Sequence, residues 1–358
     1  MNRRKTLVGL GLILALMALT GWILLKDLPL GTLAGILGRV RPGWLALGLA
    51  FMLAFVGCEA LCTRLILWRL GHKTNYRRCL GYSFVGFYVS SITPSSTGGQ
   101  PAQVYYMSKD GVPAAHGALD MMLIAVCYQA TVVGYALTVA LTHFSLVANL
   151  GGGLSLLLIY GVVVNGSLTA GMLCLMFLPN AARKVAGGVL SLLVRLHIVR
   201  DAEKAREKLE RQMAEYRRGA QCVKANPGLV PVLLGLTVVQ LTALFSVPVA
   251  VYHAFGLTGS SAMSIICTQA LVTLAVSNLP LPGAVGASEG GFVAAMALFF
   301  GPALVTPAVL LSRGISFYAF LLVSAAITLA MHLRARRKNG MGCPPPCMTA
   351  KTENKMAA

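Results

Sequence analysis

Three carboxylates lie inside apolar stretches of this chain: Glu59, Asp120 and Glu289. A charge at the centre of a membrane helix costs about 2.5–3.5 kcal/mol on insertion scales. A retained acid there marks a functional site by default. Arg313, ten residues into the last apolar stretch and about 15 Å deep by helical rise, is the natural partner of Glu289. That pair is either an internal ion pair that holds the fold or a headgroup or proton site that opens during transport. Glu59 and Arg64 are five residues apart, which sets them on different helix faces; both are expected to bind substrate, Arg64 holding a lipid phosphate with Arg313, unless Arg64 simply snorkels toward the nearer surface. Asp120 is read at the start of a helix, where its charge favours the dipole. His143 and His253 are read as interfacial.

Two Gly-, Pro- and Ser-rich runs interrupt apolar sequence. The first holds Thr93, Pro94, Ser95, Ser96, Thr97, Gly98, Gly99, Gln100 and Pro101, with Tyr105 just beyond. The second holds Asn278, Pro280, Pro282, Gly283 and Gly286 and ends at Glu289. Irregular backbone cannot face lipid; it is buried in protein or lines a wet cavity. N–H groups and hydroxyls there can hold an anionic headgroup as helix N-termini hold phosphate. A plain water-exposed turn is the alternative.

The elements that carry these residues follow from hydropathy. Of 358 residues, 56% are hydrophobic and 11% charged, against roughly 25% charged in a soluble domain. The chain is therefore predicted to be an all-α polytopic membrane bundle. Apolar stretches long enough to span are Leu7–Leu25 and residues 44–68, 117–143, 152–178, 229–254 and 303–330. Segments 79–110 and 260–301 are too broken to cross in one helix. Cys79 to Thr93 is 15 residues, about 22 Å of helix. Six full spans with two opposed re-entrant segments satisfy the count, as in inverted-repeat transporters with a midplane site. Eight ordinary spans are the alternative. Residues 1–335 form one transmembrane domain and 336–358 a basic tail.

Thirty Lys and Arg oppose eleven Asp and Glu, a formal +19. The basic residues cluster between apolar stretches: Arg3, Arg4 and Lys5; Arg69, Lys73, Arg77 and Arg78; Arg334, Arg336, Arg337 and Lys338. The 195–225 loop adds nine basic and five acidic residues. This distribution fits cytoplasmic loops and anionic lipid rather than nucleic acid, with both termini cytoplasmic and the plasma membrane as location. Residues 195–219 have helical apolar spacing through Ile198, Ala202, Ala205, Leu209, Met213 and Tyr216, with Glu207 and Arg211 as an i,i+4 pair. They read as an amphipathic helix on the membrane surface or as a solvated connector. The cysteines lack His partners at zinc spacing, and Cys343 and Cys347 bracket three prolines in the tail. No cofactor or metal is expected. A GxxxG at Gly31 and Gly35 is the pointer to a homodimer. Walker, GxSxG and HExxH motifs are absent from the sequence.

The run ITPSSTGGQPAQVYYMSKDGVP and the later NLPLPGAVGASEGG, followed by LLSRGISFYAFLLVSAAIT, resemble the lysylphosphatidylglycerol synthase transmembrane-region family of flippase-like membrane proteins. The stretch EALCTRLILWRLG is similar too. The resemblance covers roughly residues 5 to 335. It implies movement of a phospholipid such as lysyl-phosphatidylglycerol, or of a lipid-linked intermediate, between leaflets. In the bifunctional multiple peptide resistance factors a fused cytosolic aminoacyltransferase makes that lipid. These 358 residues end shortly after the last expected span and include no such domain. Two other activities stay open: a membrane-embedded lipid-modifying transferase of phosphatidylglycerol lysyltransferase type, and a non-transporting partner of a separate synthase. By resemblance, Thr93 to Pro101 and Pro280 to Glu289, with Arg313, are the site.

Overall fold

A computed structural model describes residues 41–142, 152–178, 202–276 and 281–340, with a few single positions between them. The expected first span Leu7–Leu25, Gly31, His143, Ile198, Asn278, Pro280, Cys343 and Cys347 lie outside the described residues. All regular elements among the described residues are helical. They are α1 (Pro42–Arg69), α2 (Tyr76–Ser91), α3 (Gly99–Lys109), α4 (Ala114–Thr142), α5 (Gly152–Phe177), α6 (Ala202–Lys224), α7 (Leu229–Phe245), α8 (Val247–Ala254), α9 (Ala262–Val276), α10 (Ala287–Arg313) and α11 (Phe320–Gly340). Five helical runs are long and apolar enough to cross a membrane: Pro42–Arg69, Ala114–Val139, Leu156–Cys174, Leu229–Ala254 and Ala287–Arg334. They coincide with five of the six expected spans, and the chain is a multi-pass membrane protein.

The fifth run is interrupted. Gly301 adopts φ 70°, ψ 166° and precedes Pro302, so helical hydrogen bonding stops there. The stretch from Ala287 to Phe300 belongs with α9, and the stretch from Pro302 onward is the last span. Each arm of the α9/α10 hairpin is about 21–22 Å long by helical rise, short of a core of about 30 Å. The same holds for α2, with 16 residues, and α3, with 11.

These two hairpins enter from opposite ends of α1. At its start, Arg41 N–H donates to the Ala254 carbonyl at 3.0 Å and Trp44 lies 4.7 Å from His253. There α8 ends, and Phe300 packs on Tyr252 and Phe255 at the base of the α9/α10 hairpin. Toward its other end, Leu67 packs with Tyr82, Met107 and Val112 at the base of the α2/α3 hairpin. Tyr82 donates to Asp110 at 2.7 Å and closes that base. The tips, a 3-10 turn at Pro94–Ser96 and another at Pro282–Ala284, meet each other. The opposed, broken segments expected from the sequence are thus paired helical hairpins.

Close packing of α2 on α3 depends on glycine. A methyl group on Gly99 would overlap the Ser90 hydroxyl and crowd the Gly86 carbonyl. α6 uses its apolar stripe differently from either reading of the sequence. Leu209, Met213 and Tyr216 pack against Cys62, Leu119 and Leu233, so the stripe faces the bundle. Its charged side carries the expected Arg211–Glu207 pair at 2.6 Å.

Gly99→Ala should lower the unfolding temperature of purified protein, at a cost of about 1–3 kcal/mol for overpacking. Gly134→Ala, with open space around its Cβ, should leave it unchanged. Equal melting temperatures for the two variants would refute this account of the hairpin.

Candidate functional site at the hairpin junction

Both tips share the turn that follows their proline and differ at the closing glycine, Gly98 at φ −82° and Gly286 at φ 88°. Pro94 is followed by Ser95 and Ser96 at φ 51° and 54°, and Pro282 by Gly283 and Ala284 at φ 60° and 50°. Two successive left-handed residues after a proline reverse the chain. The position four after each proline is glycine, Gly98 and Gly286, and a helix follows directly. In the first tip the left-handed residues are serines, which L-residue sterics disfavour; the glycines there serve close packing instead. In the second, Gly283 is doubly constrained. Its φ is positive, and a methyl group would overlap the Phe317 ring and touch the Ser91 carbonyl at 3.4 Å. Ser91 ends α2, so Gly283 is where one hairpin rests on the other.

Polar groups of the first tip are bound locally. The Thr93 hydroxyl donates to the Val89 carbonyl at 2.8 Å and accepts the Gly98 N–H at 3.0 Å. The Ser90 hydroxyl donates to the Ser96 carbonyl at 3.2 Å. Ser96, Thr97, Gln100 and Pro101 are exposed, and so is Gly286 in the second tip. Tyr105 points outward, 51% exposed, beside the Lys109 ammonium.

Glu289 joins the second tip to the last span. It is 1% exposed and lies in the first turn of α10. One carboxylate oxygen accepts the Gly286 N–H at 2.6 Å. The other accepts Arg313 Nε at 2.8 Å and the Tyr318 hydroxyl at 3.2 Å. Arg313 Nη2 also donates to the Gly283 carbonyl at 3.1 Å, and its guanidinium lies 4.5 Å over the Phe317 ring. One carboxylate and one guanidinium therefore hold the strained tip to the last span. The expected Glu289–Arg313 partnership is present, with Tyr318 and Phe317 as additions the sequence reading lacked. Both come from a π-helical segment, Gly314–Ala319, next to Arg313. On a regular helix a residue five after Arg313 falls about 140° away; the wider turn returns it to the same face.

The other embedded groups gather elsewhere. Glu59 accepts Gln103 Nε2 at 3.1 Å. Asp120 is not at the end of its helix. It lies six residues beyond the first residue of α4, is 0% exposed, and has no hydrogen-bond partner on either carboxylate oxygen. The helix-dipole reading fails because the side chain is packed inside the bundle rather than at a terminus. Arg64 is exposed on the other face of α1, as the spacing of five from Glu59 required. It lines a groove of ≈ 570 Å³ with Leu65, Trp68, Lys73, Thr74 and Asn75, apart from Arg313 and its contacts.

Arg313→Gln leaves the Glu289 carboxylate buried without its counter-ion. Breaking a fully buried pair costs about 3–5 kcal/mol; the cost here should be lower, because 15% of the Arg313 side chain remains exposed. The double variant with Glu289→Gln should recover part of the lost thermal stability. A double variant as unstable as the sum of the two single ones would argue against a coupled pair.

The comparisons with known proteins bear on the whole chain. Over 256 residues it is 27% identical to a UPF0104 membrane protein of Archaeoglobus fulgidus, covering 70% of this chain and 75% of that one. The family model described as the lysylphosphatidylglycerol synthase TM region matches residues 6–324, which takes in both hairpins and the ion pair between them. By that match the chain belongs to the lysylphosphatidylglycerol synthase transmembrane-region family.

Proposed function

We propose that this protein moves a phospholipid or a lipid-linked intermediate between membrane leaflets, with the junction of the two hairpin tips as the point of passage. The observation that carries this reading is the meeting of two strained tips, one of them tied to the last span by a buried ion pair. Irregular backbone inside a membrane protein is tolerated where it is buried or lines a polar path. α3 and α10 both begin at the tips. Their N-terminal N–H groups carry partial positive charge and favour a phosphate. Arg313 adds a full charge. The Glu289 carboxylate holds Arg313 while no anion is present, and a cationic headgroup group such as a lysyl ester competes for that same carboxylate.

A lipid needs a place to wait before it passes. The groove beside Arg64 and Lys73 supports this, because two cations flank an exposed indole. Trp68, 56% exposed, is the residue type that settles at headgroup depth. We take this end of the bundle as cytoplasmic from its excess of Lys and Arg, with the plasma membrane as location and the lipid itself as partner. Acyl chains stay in the bilayer while the head crosses.

Glu289→Gln keeps the shape and neutralises the charge. In vesicles reconstituted with the purified protein, leaflet exchange of labelled phosphatidylglycerol and lysyl-phosphatidylglycerol should fall to the level of protein-free vesicles, with expression preserved. Exchange at the wild-type rate would remove Glu289 from the mechanism; no exchange by the wild-type protein with any lipid tested would remove the transport reading.

A further inference from the structure

The second group of embedded acids stands apart from the hairpin junction. Asp120 on α4 is fully enclosed, and neither of its oxygens has a partner. Glu59 stands one turn before Thr63 on the same face of α1, and α1 packs on α4 at this level through Cys62, Leu119 and Leu123. Two neutral groups with unused oxygens accompany them. Thr63 is 0% exposed and its hydroxyl has no hydrogen-bond partner. Gln103 is 5% exposed; its amide nitrogen donates to Glu59 while its amide oxygen has no partner. Buried polar atoms are nearly always satisfied, and each exception calls for a proton, a water or an ion.

The cation nearest in sequence is Arg64, next to Thr63 on α1, and it is exposed and lines the outer groove. Cys62 of α1 and Cys79 of α2 are buried, and Tyr128 of α4 is half-buried. His116, one turn before Asp120, is hydrogen-bonded through its Nδ1 to His72 Nε2 at 2.8 Å. On α3, Asp110 holds Tyr82 and Tyr106 reaches His332. From α6, Gln212 caps the Ala115 N–H and Tyr216 reaches Met122. α7 presents the neutral Thr237 and Gln240. Among the described residues no Lys or Arg is hydrogen-bonded to Glu59 or Asp120. Two carboxylates so placed cannot both stay ionised without a positive charge between or upon them.

We propose that Glu59 and Asp120, with the oxygens of Thr63 and Gln103, form a buried site for one small monovalent cation, H⁺ or Na⁺. Carboxylate, amide and hydroxyl oxygens are the hard donors such an ion takes. In the proton case the ion is carried on one carboxylate oxygen and the other acid keeps its negative charge. Glu59 retains accessible surface and Asp120 has none, which orders them as outer and inner acid. The site is supported on α1, α3 and α4. α3 is the returning arm of the first hairpin, so the ion acts on the element whose tip meets the second hairpin. Its service as the ion that drives lipid movement rests on the transport reading; cation binding does not, and it is measured without any lipid substrate.

The experiment uses the full chain, purified into nanodiscs. One arm follows the unfolding temperature in sodium chloride against choline chloride. The other follows the infrared carbonyl band of protonated carboxylic acids from mildly acidic to mildly alkaline pH. For Na⁺, a sodium-specific stabilisation that disappears in Asp120→Asn is expected. For H⁺, a carboxylic-acid band present at neutral pH and lost in Asp120→Asn is expected, with no sodium effect. Should Asp120→Asn fail to fold, Glu59→Gln and Thr63→Val serve in its place. The first should remove or shift the same band. The second should raise the sodium concentration needed for a given stabilisation about tenfold, as loss of one ligand worth about 1.4 kcal/mol. Wild-type protein with both acids ionised throughout and no response to sodium overturns the proposal. Cation binding without any lipid exchange would sink the transport reading and leave this site standing.

Discussion

Backbone groups that leave helical geometry inside hydrocarbon must find partners within the protein, and the arrangement of this bundle follows from that constraint. Each hairpin tip carries two residues in the left-handed region. Neither tip can face lipid, and neither arm is long enough to carry its tip across to water. The stable solution is to press the tips together and tie the second one down. Glu289 and Arg313 do this with four hydrogen bonds to backbone, hydroxyl and each other.

The two tips share a proline-led turn and differ in the conformation of the closing glycine and in chemistry. Both read proline, two left-handed residues, one further residue and glycine. The first satisfies its polar groups with serine and threonine hydroxyls from its own helix. The second uses an ion pair borrowed from the following span. Their bases lie at opposite ends of α1, so the copies are inverted, as in transporters built from opposed repeats. The chemistry is correspondingly divided. The second hairpin holds a paired acid, and the first leans on α1 and α4, where the acids have no counter-ion.

Much of the fold was legible because lipid imposes a simple rule on sequence. Five expected spans appear where hydropathy placed them. The two broken segments stood out because fifteen apolar residues make a helix too short to cross a bilayer. Glu289 with Arg313 was visible as two opposite charges with no other reason to be in apolar sequence. Asp120 was misjudged because its nearness to a helix start suggested a dipole role, while burial depends on which helices surround it. The stripe on α6 announced an apolar face without saying whether lipid or protein would cover it.

One spacing shows where sequence stops. Glu59 and Arg64 are five residues apart on a regular helix, and the structure sends one inward and the other to an outer groove. Arg313 and Tyr318 are also five apart, yet both contact Glu289. Apolar length, charge placement and the two proline-led turns were determined by the sequence alone, because they depend on neighbours along the chain. Whether a helix locally widens to a π turn was decided only in the folded protein, where one buried carboxylate outweighs the regular helical register. The same is true of which hairpin tip meets which, and of the acids that end up enclosed together.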